Sequence, residues 1–168
     1  MNRIPLTLVL LRLSRREALL YVFFMPLFLS ISASIFSISI VLRYTTNFLQ
    51  SAILCMWYYE VFVISYKRKP TTTLIRVFAI GSLVFVGLSS LAGLIQDDRL
   101  SKLFAALDVL GILMILSTVP YSFSKALERE GIKFDPFFLY ISFIIYPLAV
   151  WQYQEKIRGW VSEESIKN

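Results

Sequence analysis

Histidine is missing from all 168 residues, and cysteine occurs once, as Cys55. Without histidine the chain supplies no axial ligand of the usual kind to haem, no imidazole to zinc, iron or copper, and no Ser–His or Cys–His nucleophile pair. A single cysteine excludes an intramolecular disulfide, and in an apolar stretch it behaves as a small buried hydrophobe. Charge is scarce as well: 17% of residues are charged, against roughly 25% in ordinary soluble domains. Glycine-rich phosphate loops, dinucleotide fingerprints and nucleophile elbows are absent too. The carboxylates are too few and too scattered to hold metal ions for lipid-phosphate chemistry, and the paired Asp97–Asp98 reads as a solvated turn. These absences lean against an enzyme and leave the cofactor unknown, with a bound lipid the kind of small molecule that suits such a chain.

What the chain has in abundance is apolar surface, with 57% hydrophobic residues and a mean hydropathy of +0.68. The apolar residues gather into five runs at 19–42, 47–66, 74–95, 103–123 and 137–153, and the charges fall mostly between them. Hydrocarbon satisfies no backbone N–H or C=O, so a segment of about 20 apolar residues inside it must be helical. The sequence therefore predicts an all-α integral membrane protein, one domain over 1–168. It is a bundle of five transmembrane helices joined by short loops, or of four if the last run, cut by Pro147, is re-entrant or interfacial. No internal repeat or inverted duplicate stands out.

The net charge of +6 does not point to nucleic acid, because Lys and Arg collect in cytoplasmic loops of membrane proteins. Arg3, Arg12, Arg15 and Arg16 precede the first run, Arg43 follows it, and Lys67, Arg68, Lys69 and Arg76 flank the start of the third. That alternation predicts a cytoplasmic N-terminus in a multi-pass protein of a bacterial inner membrane or its equivalent. Five crossings put the C-terminus outside, and a re-entrant fifth run would return it inside. Arg12, Arg15 and Arg16 also stand at helical spacing opposite leucines. Residues 4–17 thus read either as an amphipathic helix whose arginines touch anionic headgroups or as an extension of the first span.

Helix punctuation marks the boundaries. Asn47, Thr72 or Thr73, Ser101 and Asp135 are candidate N-caps, the last followed by a proline at the first helical position, and Gly131 suits a C′ site ending a short surface helix. Pro26, Pro120 and Pro147 are expected to kink or end their helices.

Two acids lie inside the runs. At about 1.5 Å per residue, Glu60 sits roughly 9 Å from the inner edge and Asp108 roughly 8 Å from the outer one. Each costs about 2.5 to 3.5 kcal/mol near a bilayer centre, which favours a partner or a cavity. Together they suggest a polar path; singly, they suggest local hydrogen bonds near the membrane edges. Small residues form a second pattern, Ser30, Ser34 and Ser37 in the first run and Ser89 with Gly93 in the third, which favours close helix packing over a serine-lined path.

Two functions follow from this inventory. The first is an accessory or structural subunit of a larger membrane assembly, with the lipid bilayer and other membrane subunits as partners. The alternative is a small oligomeric proton- or cation-coupled transporter or channel component using Glu60 and Asp108, with a lipid-binding or lipid-modifying protein behind it.

Overall fold

The computed structural model describes residues 9–35, 40–66, 72–91 and 98–167, and these are helical apart from short connections, with no strand among them. Two very short helices open the chain, α1 (Val9–Arg12) and α2 (Arg15–Ala18). A π-helical turn over Leu19–Phe24 follows and runs directly into α3 (Met25–Ile35). Then come α4 (Ile40–Ser65), α5 (Thr72–Leu91), α6 (Asp98–Arg129), α7 (Pro136–Ile144) and α8 (Tyr146–Lys167). Within α4 the stretch Phe48–Ser65, and within α6 the stretch Lys102–Arg129, are long and apolar enough to cross a membrane. The α7–α8 pair forms a third such element if it is counted as one broken span, while the apolar part of α5, Thr73–Leu88, is shorter.

Several boundaries differ from expectation. Helix α4 starts at Ile40, so Asn47 lies inside it and is no cap; Ser101 lies likewise within α6, which begins at Asp98. Polar residues cost a helix only a few tenths of a kcal/mol each, too little to stop one that is already propagating. Helix α6 continues through Pro120 and absorbs the predicted surface helix around Lys125. Near that proline the Thr118 hydroxyl donates to the Met114 and Ile115 carbonyls at 3.1 and 2.9 Å. Asp135 does cap α7, accepting from the amides of Phe137 and Phe138, with Pro136 at the first position. Gly131 ends α6 with φ +68°, its amide reaching the Glu128 carbonyl and that of Ile132 the Leu127 carbonyl, which is a Schellman closure.

Helix α4 is the hub. Its Trp57, Tyr58, Val61, Phe62 and Ile64 are buried against Ile115, Val119 and Phe123 of α6 and Phe143 of α7. On the outer side, α5 and α6 cross at two glycines. A Cβ on Gly111 would lie 2.8 Å from the Phe85 amide nitrogen, and one on Gly81 would lie 2.9 Å from the Gly111 carbonyl oxygen. Backbone thus meets backbone at this crossing, as small residues permit. It is a different place from the Ser89–Gly93 step expected from sequence; Ser37 and Gly93, like the side chains of Ser30, Ser34 and Ser89, lie outside what the structure describes.

Between α7 and α8 the chain turns by 115° at Ile145. Pro147 lacks an amide proton and the end of α7 leaves carbonyls without helical partners, so other groups must serve them. The Tyr58 hydroxyl donates to the Phe143 carbonyl at 2.5 Å, and the Leu148 amide donates to that of Ile145 at 2.7 Å. Farther along α8, Trp160 packs on Phe123 at 5.3 Å between ring centroids and Lys156 pairs with Glu130 at 2.6 Å. Both α7, through Phe143, and α8, through Trp160 and Lys156, therefore pack against the end of α6 and the turn after it.

Replacing Gly111 by leucine forces α5 and α6 apart and is expected to lower stability by about 1–3 kcal/mol. Gly87→Ala, at a site where nothing lies within 4 Å, should stay near wild type; unfolding of both in mixed detergent micelles by added dodecyl sulfate checks the contrast.

Candidate functional site

The strongest concentration of buried polar groups lies where the N-terminal segment meets α4 and α8. Leu11 is fully buried, and its amide donates to Oε2 of Glu60 at 3.0 Å. Gln154, with 0% exposure, bridges three elements. Its Oε1 accepts from Nε1 of Trp57 at 3.1 Å, and its Nε2 donates to the carbonyls of Leu10 and Leu13 at 2.9 and 3.1 Å. The chemistry of a very short helix explains the pattern. A single turn makes hardly any internal bonds, so its amides and carbonyls are all end groups. Glu60 serves a donor of α1 and Gln154 serves two acceptors at its far end, each from a side chain that would itself be costly to bury unpaired.

Ser14 then restarts the helix with a capping box: its hydroxyl takes the Glu17 amide at 3.4 Å while the Glu17 carboxylate takes the Ser14 amide at 2.8 Å. The amide and hydroxyl of Ser14 hold the Glu17 carboxyl below its ordinary pKa. Its contribution is thus in place at neutral pH and disappears as acidification passes the lowered value. Next to the cap, the Arg15 amide donates to Oε1 of Glu155 at 2.9 Å and the Arg15 guanidinium lies 5.2 Å from the Trp151 ring centroid.

The segment 4–17, read from sequence as an amphipathic helix or an extension of the first span, is described only from Val9 onward. Within the described part, Ser14 breaks the helix and Leu11 is inserted into the core, although Arg12 and Arg16 remain exposed and Arg15 is half-buried. Glu60 is 1% exposed and belongs to this junction. Asp108 is placed elsewhere, half-buried on α6 in the neighbourhood of Cys55, one and a half turns before Glu60 on α4. Among the described residues, no three His, Cys, Asp or Glu side chains are gathered in the manner of a metal centre.

Sequence reading missed Gln154 and Trp57, although both carried a signal. Gln154 falls in the α8 series Val150, Ile157 and Val161, a helical stripe that is otherwise apolar and buried; a lone amide on such a face needs partners. Ser14-Arg-Arg-Glu17 is likewise a legible capping box.

Two apolar hollows lie elsewhere in the bundle. One of about 310 Å³ is lined by residues including Leu54, Tyr58, Ile115, Ile144 and Tyr146, and one of about 220 Å³ by residues including Tyr59, Phe62, Phe78 and Ser82. Neither brings catalytic groups together. No protein-family model, characterised protein or solved structure matches this chain.

Gln154→Leu strands the Trp57 N–H and two carbonyls and is expected to cost about 1–3 kcal/mol, releasing the N-terminal segment. Trypsin should then cut after Arg12, Arg15 and Arg16 much faster than in wild type. Glu60→Gln keeps an acceptor oxygen for Leu11 and should stay resistant, whereas Glu60→Leu should not; equal cleavage of all four proteins counts against the junction.

Proposed function

We propose that this protein is an accessory or structural subunit of a larger membrane assembly. The observation that carries the reading is the use of Glu60. The more deeply buried of the two candidate acids accepts the amide of Leu11 inside a packed junction, a task that fixes the fold and differs from facing a conduction path. The outer face of α5 and α6 adds support: Ile75, Ile80, Leu83, Leu103, Leu107, Leu110 and Leu113 are exposed. Such a surface suits lipid or the helices of a neighbouring subunit.

In this reading the chain crosses the bilayer four times, by the α2–α3 run, α4, α5 and α6, with α7–α8 re-entrant. This is the four-span alternative that the sequence left open beside five. Its support is the return of α8 to the end of α6 through Lys156–Glu130, and to the N-terminal segment through Gln154 and Glu155. Basic residues Arg12, Arg15, Arg16, Lys125, Arg129, Lys156 and Arg158 then share one end of the bundle, the cytoplasmic one by the bias of positive charge. A reporter fused after Lys167 is expected to be active in its cytoplasmic form, and an external tail would restore the fifth crossing.

Function is tested with the chain tagged in its own membrane and extracted in mild detergent. It should migrate within a stable larger complex, and Glu60→Gln combined with Asp108→Asn should leave that complex intact. The transporter alternative predicts the reverse: the purified chain alone drives ion flux in vesicles, and the double variant abolishes it.

A further inference from the structure

An open cleft of about 330 Å³ lies between the start of α2 and the first turns of α8, lined by Ser14, Arg15, Arg16, Trp151 and Glu155. We infer that this cleft binds the phosphate headgroup of an anionic phospholipid. Both acids at the site are already engaged. Glu17 is tied into the capping box with Ser14, and Glu155 accepts from the Arg15 amide at 2.9 Å and from Arg158 at 3.5 Å. The two lining arginines are differently placed. Arg15 lies over Trp151, and its Nε is shut away from solvent with no acceptor among the described residues. Arg16 projects outward beside it. A guanidinium presents a planar fork of donors that matches two phosphate oxygens at once. The stacking on Trp151 fixes the orientation of one such fork before any ligand arrives.

A second observation separates a lipid from a free anion. Leu20 and Phe24 follow Arg16 at intervals of about one turn, and both are exposed, as is Tyr21. Charge at the mouth therefore continues into an apolar strip along the same helical run, which is the order of groups in a phospholipid from phosphate to acyl chain. Trp151, also half-exposed, suits the headgroup level where amphipathic rings collect. The cleft is about the size of the smaller ligand sites, enough for a phosphodiester and its polar substituent but not for the chains, which would lie along Leu20 and Phe24.

The full chain in mild detergent is titrated with phosphatidylglycerol or phosphatidylcholine in mixed micelles, and bound lipid is counted by native mass spectrometry. Phosphatidylglycerol should bind in preference to phosphatidylcholine. Arg16→Gln should weaken it several-fold and Arg15→Gln with Arg16→Gln by roughly tenfold or more, while Arg76→Gln, an exposed arginine on α5, leaves it unchanged. Millimolar inorganic phosphate should not displace the lipid. Equal binding of the two lipids, undiminished binding by Arg16→Gln, an equal loss with Arg76→Gln, or displacement by inorganic phosphate each overturns the assignment. If the double variant fails to fold, Arg16→Gln alone decides, since its side chain is exposed.

Discussion

Every interruption of a helix in an apolar surrounding strands backbone groups that no water is there to receive, and this chain interrupts its helices repeatedly. The structure can be understood as the set of side chains that meet that demand. Gln154 and Glu60 serve the single turn of α1, and Tyr58 serves the end of α7. The π-helical turn shows the same logic. Pro26 provides no amide proton to the Val22 carbonyl four residues before it, and the Tyr146 hydroxyl lies 3.4 Å from that oxygen. A hydrogen bond of this kind contributes modestly when made, but a buried polar group left unmade costs considerably more. The interruptions thus dictate where tyrosine, glutamine and glutamate must stand, and through them how the elements are arranged.

The helical character of the chain and the extent of its apolar stretches were legible from hydropathy alone, as were the Asp135–Pro136 start of α7 and the glycine closure at Gly131. Those features are local: a cap or a left-handed residue acts within one turn. Asn47 and Ser101 misled because each is a local signal overridden by a helix that continues past it. The junction was less legible because its members lie far apart in sequence, with 97 residues between Trp57 and Gln154 and 49 between Leu11 and Glu60. Glu60 stood out as an acid in an apolar run, but nothing in the sequence points to a backbone amide of the N-terminal segment as its partner. Nor could periodicity show that α5 and α6 touch at Gly81 and Gly111, because small residues at helical spacing occur in several places.

An acid inside an apolar helix is commonly read as a sign of transport. Here Oε2 of Glu60 accepts the Leu11 amide within a packed junction, which ties it to the seating of the N-terminal segment. Asp108 stands apart from that junction, half-buried on α6 in the neighbourhood of Cys55.

Apart from Glu60, the side chains that seat the N-terminal segment by hydrogen bonds come from α8. Tyr146, Gln154 and Glu155 are 124 to 144 residues removed from Val22, Leu10, Leu13 and Arg15. A ribosome therefore delivers these first residues long before their partners exist, and α4, α5 and α6 can associate while the segment at 10–15 still waits. A chain that lacks α8 keeps the Glu60 bond to this segment and loses those of Tyr146, Gln154 and Glu155, so docking of α8 is a late step that completes the seating.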